Sequence, residues 1–113
     1  MTAMRLLQII FCLLLLGCAP PPARDGGFHS DDPASKLYAI VRAGSDADHD
    51  SIPHLIEQLD HDDPAVRMFA IVALERITGD RLGYNPYAPL HGRRAAVERW
   101  TEAYRRGGIP ATE

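Results

Sequence analysis

The chain has 113 residues, 46% of them apolar and 24% charged, which is enough for one small domain and no second. A net charge of −3 and a pI near 5.9 argue against a module that grips nucleic acid through a basic footprint. Both cysteines, Cys12 and Cys18, precede residue 20, so the rest of the chain has no thiol for a disulfide framework or a Cys-ligated metal.

Arg5 is the only charged side chain among the first twenty-three residues, and the apolar run Leu6–Leu16 follows it, interrupted only by Gln8. A helix needs about 20 apolar residues to cross about 30 Å of hydrocarbon. This run is too short, and Pro20, Pro21 and Pro22 stop its extension. A basic residue followed by a short apolar stretch is the pattern of a secretory signal peptide. Its end, Leu15-Leu16-Gly17-Cys18, resembles the lipobox of bacterial lipoproteins. The resemblance implies that the Cys18 thiol receives a diacylglyceryl group and that a dedicated peptidase cuts between Gly17 and Cys18. The new amino terminus then takes an acyl chain such as palmitate. Leu16 is bulkier than the small residue usual in that family. An ordinary signal peptide would prefer a small-x-small cleavage site, which Leu15-Leu16-Gly17 does not supply. At about 0.8 kcal/mol per buried CH₂, two or three long chains hold a protein on a bilayer permanently. Ala19, in place of an aspartate, resembles the form sorted to the outer membrane. The expected location is therefore the cell envelope, on the periplasmic side of the outer membrane, after removal of residues 1–17.

Residues 18–32 are expected to be the lipidated cysteine and a flexible tether, stiff at the three prolines and loose at Gly26-Gly27. Phe28 is read there as an incidental side chain. A helical domain is expected over 33–107, and a short tail over 108–113. Leu37, Ile40 and Val41 fall at i, i+3, i+4, with Pro33 at a helix start and Gly44 past its end. Ile52, Leu55, Ile56 and Leu59 form the stripe of a second helix. Asp63 is placed to cap a third, and Pro64 fits its first position, where a missing N–H costs nothing. Val66, Ala70, Ala73, Leu74 and Ile77 line one face of that helix. Met68 to Leu74 is apolar without a break, which predicts burial on more than one side until Gly79 ends the helix. A last helix is predicted from about Gly92 to Arg106. Ala96, Val97, Trp100, Ala103 and Tyr104 face inward, and Arg93, Arg94, Glu98, Arg99, Glu102 and Arg105 face outward. No run alternates as a half-buried strand does, so the fold class is all-α.

Residues 49–79 resemble one HEAT repeat. The matches are Pro53 near the first helix start, Leu55, Ile56 and Leu59 on its stripe, Asp62-Asp63-Pro64 in the turn, Val66-Arg67 opening the second helix, and Ala70 and Ala73 on its packed face. The resemblance implies an antiparallel helix pair. The helix over 34–43 then stands as the second helix of a degraded preceding repeat, and the segment after Gly79 as the tail of a terminal pair. Arg67 is set to bond carbonyls or aspartates in the turns, and the alanines let two helices approach closely. One repeat cannot bury its own faces, and about three are normally needed. Either Trp100, Tyr84, Tyr87 and Tyr104 close the open end, or a partner completes the stack. The family implies binding to protein rather than reaction. Some HEAT-like bacterial proteins are bilin lyases, and an accessory role of that type is a further reading, although it would need a ligand pocket that the sequence does not reveal.

Asp46, Asp48, Asp50 and Glu57 occupy positions 1, 3, 5 and 12 of a calcium loop. Ser51 stands where that loop needs glycine and Pro53 where it needs an apolar strand-former, so a solvated acidic turn is expected and no metal is assigned. Histidines 29, 49, 54, 61 and 91 share no i, i+4 face and form no HExxH, so no zinc or copper site is expected. No GxSxG or phosphate loop is present, and the serines fall where hydroxyls cap helices. The segment Tyr84-Asn85-Pro86-Tyr87-Ala88-Pro89 has two readings: a rigid aromatic contact surface, or a lid folded over the last helix. Arg93 and Arg94, with Arg99, Arg105 and Arg106, are a solvated basic face or a contact for anionic lipid head groups. The reading that follows is a non-enzymatic, lipid-anchored HEAT-repeat scaffold of the bacterial envelope. It has no cofactor beyond the lipid on Cys18, binds another envelope protein, reaches the membrane through its anchor and binds no nucleic acid. The second reading is a calcium- or metal-responsive envelope protein built on the acidic 46–57 loop.

Overall fold

The computed structural model describes residues 2–5 and 27–109. The lipobox with Gly17 and Cys18, the tether through residue 26 and the tail from residue 110 lie outside the described residues. The helices are α1 (Pro33–Ser45), α2 (Ile52–Gln58), α3 (Pro64–Thr78) and α4 (Leu90–Arg105), with 3₁₀ turns at Gly27–His29 and His49–Ser51. Among the described residues there is no strand, and the fold is all-α.

Local chemistry sets the boundaries. Asp32 caps α1: one carboxylate oxygen accepts from the Ser35 amide at 3.2 Å and from the Ser35 hydroxyl at 2.8 Å. Asp63 caps α3, accepting from the Ala65 amide at 2.8 Å, with Pro64 in the first turn where its missing N–H is harmless. At the far end the Gly79 amide closes the helix on the Glu75 carbonyl at 2.7 Å. Pro53 likewise sits in the first turn of α2. Beyond Gln58 that helix tightens. The amides of Asp60 and His61 donate to the carbonyls of Glu57 and Gln58, three residues back, so Leu59 stays buried outside the regular helix.

The unbroken apolar run gives α3 its central place. Ala70, Ile71, Leu74 and Ile77 are fully buried, with α1 packed on one side and α2 on another. Gly44 is not past the end of α1 as expected but inside its last turn, pressed on Ala73. A Cβ there would lie 2.9 Å from the Ala73 Cα. A glycine inside a helix costs about 1 kcal/mol against alanine, and here it allows two backbones to come closer than any side chain permits. Lys36 Nζ lies 3.1 Å from His61 Nε2, at the entry to α3. The two contacts together set α1 beside α3, running in the same direction.

Helix α4 packs against α2 and buries Ala96 and Trp100. Tyr104, expected to face inward, is exposed, while Trp100 one turn earlier takes the buried position. The flexible tether expected through residue 32 also ends sooner. Gly27–His29 is a turn packed on α1 and α2, with Phe28 against the core and its carbonyl accepting from Gln58 Nε2 at 3.2 Å. The physical reason is Gly27: a Cβ would lie 2.8 Å from the Ala39 Cβ, so the glycine that reads as looseness serves close approach.

Candidate functional site

Three surfaces bear on function: the connection between α3 and α4, the outer side of α1 and α3, and the histidine-bearing end of α2.

The connection from Gly79 to Pro89 contains no regular structure, yet its backbone is held at almost every step. Arg67, 7% exposed, sends Nη1 to the carbonyls of His61 and Asp62, both at 2.8 Å, and Nε to the carbonyl of Pro86 at 3.2 Å. The planar guanidinium therefore joins the turn before α3 to the loop after it. Trp100 Nε1 donates to the Arg81 carbonyl at 2.9 Å, Arg99 Nε to Leu82 at 2.9 Å, and Arg93 Nη1 to Ala88 at 2.8 Å. Leu82 adopts φ 48, a region L-residues avoid, and these bonds hold it there, aided by Asp80, which accepts from the Leu82 amide at 2.8 Å.

Of the two tyrosines offered as contact residues, the structure removes one. Tyr84 is 3% exposed, and its hydroxyl donates to the buried Leu59 carbonyl at 2.6 Å, tying the loop to the end of α2. Burial raises the pKa of its phenol above the ordinary 10, against the opposing pull of the Arg67 and Arg93 charges. Tyr84 is thus a clasp and not a docking residue. Tyr87 is 72% exposed, three residues on, with Pro86 buried beneath the loop. Arg93 is half-buried and engaged with the loop, whereas Arg94 is exposed. Arg105 and Arg106 both pair with Glu102, at 3.1 and 2.7 Å.

On α1 and α3, Tyr38, Val41 and Phe69 are large apolar side chains left exposed. Val41 lies one turn before Gly44, and Phe69 one turn before Ala73, so both flank the close crossing of α1 and α3. Periodicity placed Leu37, Ile40 and Val41 on the inward stripe of α1; Ile40 is buried as expected, but Ala43 and not Val41 shares its face.

The acidic 46–57 segment does not converge. Asp46 pairs with Arg42 at 3.4 Å, and Asp48 caps its own turn, accepting from the Asp50 amide at 3.1 Å and the Ser51 hydroxyl at 2.6 Å. Glu57 lies elsewhere, on α2, beside a different pair. His29, His54 and Glu57 present ligand atoms all within 4.8 Å of one another. Sequence spacing missed this grouping, because His29 stood in the presumed tether. The one local signal was His54 and Glu57 at i, i+3, a spacing that puts two side chains on one helix face.

Comparisons with family models, with curated proteins and with solved structures give no match to this chain. Among the described residues, no helix is long and apolar enough to cross a membrane.

Proposed function

We propose that this chain is a non-enzymatic helical docking module of the HEAT type, anchored through lipid on Cys18 to the outer membrane of a bacterial envelope, where it binds another envelope protein. The observation that carries the reading is the pairing of two features on one chain. One is Leu15-Leu16-Gly17-Cys18 closing a short apolar leader, and the other is an all-α domain that leaves the large apolar side chains Tyr38 and Val41 of α1 and Phe69 of α3 exposed. Large apolar side chains left exposed on two packed neighbouring helices support a contact for protein on that side. The parallel placement of α1 and α3, in contact at Gly44 and Ala73, is what stacked second helices of successive repeats require, and Arg67 bonds turn carbonyls as the repeat pattern implies. The hydroxyls of Ser35 and Ser51 donate to the capping carboxylates of Asp32 and Asp48. The partner meets the α1–α3 side, with Tyr87 on the loop as a second contact.

The test uses the full chain in its native host. Labelled palmitate should enter the wild-type protein and not Cys18→Ser, and the labelled form should sediment with outer membranes. A photo-crosslinking residue at Val41 or Phe69 should trap one defined envelope protein, and the same residue at Glu98 should trap none. An unlabelled protein recovered from the soluble fraction overturns the anchor. Equal crosslinking from Glu98 overturns the docking face.

A further inference from the structure

His29 and Glu57 meet beside the packed turn in a loose pair. Their closest atoms, His29 Nε2 and Glu57 Oε2, are 3.7 Å apart, with side chains 59% and 57% exposed. A pair that long and that wet contributes little to stability. His54 stands between them. Its ring stacks on Phe28 at 5.3 Å and meets His29 edge-on at 5.5 Å, and its Nδ1 is shut off from solvent without a hydrogen-bond partner. Two imidazoles and a carboxylate therefore converge at the junction of the Gly27–His29 turn and α2, and no protein hydrogen bond explains the convergence.

We propose that His29, His54 and Glu57 form a binding site for a divalent first-row transition ion, zinc or copper(II), which clamps the 27–29 turn onto α2. The donor set decides the class. Imidazole nitrogen with one carboxylate suits zinc and copper, whereas calcium takes six to eight oxygens and has no use for the rings. Distance is compatible with it. Ligands at about 2.0–2.1 Å from a tetrahedral ion stand about 3.3 Å from one another. Donors now within 4.8 Å reach that spacing by rotation of the two exposed side chains, with the His54 ring as the fixed wall. The fixed parts are built for it: Gln58 holds the Phe28 carbonyl at 3.2 Å, Gly27 seats against Ala39, and Phe28 sets the plane of His54. Three protein ligands leave room for water on the ion. The site is independent of the lipid anchor and of any protein partner, and it uses none of Asp46, Asp48 and Asp50.

The experiment is titration of the full chain, purified without a polyhistidine tag, with zinc chloride and separately with copper(II), followed by calorimetry and native mass spectrometry. One ion per chain should bind at submillimolar concentration, raise the melting temperature in proportion to the metal added, and be stripped by EDTA. The copper form should show two equatorial nitrogens in its paramagnetic resonance spectrum. His29→Gln and Glu57→Gln alter exposed side chains and should melt as wild type without metal. Each should weaken binding by about tenfold or more, since loss of even an outer partner of a metal ligand has that effect. His91→Gln, Asp46→Asn and Asp50→Asn should leave binding unchanged. The proposal is overturned if neither ion binds, if binding survives in the His29→Gln, Glu57→Gln double variant, or if the control variants lose it equally.

Discussion

The Gly79–Pro89 loop and the Gly27–His29 turn are both irregular segments lying against the helical core, and they treat their polar neighbours in opposite ways. Around the loop, Arg67, Tyr84, Arg93, Arg99 and Trp100 all donate to backbone carbonyls. Around the turn, a single side-chain bond from Gln58 reaches the Phe28 carbonyl, and three metal-competent groups meet through ring contacts and one long, wet ion pair rather than through hydrogen bonds. A segment whose surrounding side chains complete its own hydrogen bonding is architecture. A segment packed by shape, with its best donors left over, has chemistry to offer.

The sharpest way to break this contrast is Arg67→Ala. It leaves the Pro86 carbonyl without its donor in a buried setting, at about 1–3 kcal/mol, and the part-buried carbonyls of His61 and Asp62 without theirs at a smaller cost each. The variant should lose about 3 kcal/mol or more in denaturant unfolding. Arg67→Lys should recover only part, because an ammonium does not present the planar fork. A loss under 1 kcal/mol would show that the loop does not depend on its clasp.

Tyr84→Phe comes next. Removing the 2.6 Å bond to Leu59 should cost about 1–2 kcal/mol. The pH dependence carries its own signature. Burial holds the phenol above its ordinary pKa of 10, so its contribution is intact below pH 10 and is lost as pH rises through the raised value. Wild type should therefore destabilise above pH 10 more steeply than Tyr84→Phe, as melting curves in alkaline buffer will show.

On the turn side, Gln58→Ala should cost about 1 kcal/mol and speed amide hydrogen exchange at 27–30 while leaving 79–89 protected. Equal exchange in both segments would erase the distinction. The smallest effect belongs to Asp32. The bond from the Ser35 hydroxyl, followed by the backbone bond, holds its carboxyl below the ordinary 3.8. Its stabilising contribution is present above that value and lost as pH falls through the lower one. Asp32→Asn should flatten the acid limb of the stability curve slightly and leave the neutral region nearly unchanged.

The helices were legible because their signals are local. Asp63-Pro64 and Gly79 mark the ends of α3, and seven consecutive apolar residues from Met68 announce burial on two sides. What organises the loop was not legible. Tyr84 and Tyr87 are the same residue type three positions apart, and only the position of the Leu59 carbonyl decides which goes inside. The histidine grouping was hidden for a related reason. His29 meets His54 across twenty-five residues of chain, and composition alone reads Gly26-Gly27 as slack. Close approach, which made Gly27 and Gly44 necessary, leaves no period in a sequence.

The way the chain enters the domain has a mechanical result. Among the described residues, Gly27 is where the chain leading into α1 first packs on the helical body, so tension applied there loads the Gln58–Phe28 bond, the Phe28–His54 stack and the seat of Gly27 on Ala39 ahead of the contacts between the helices. Release of the turn would lengthen the reach of the domain without breaking the contacts among α1, α2 and α3. A metal ion seated at that hinge would act as a catch on the extension.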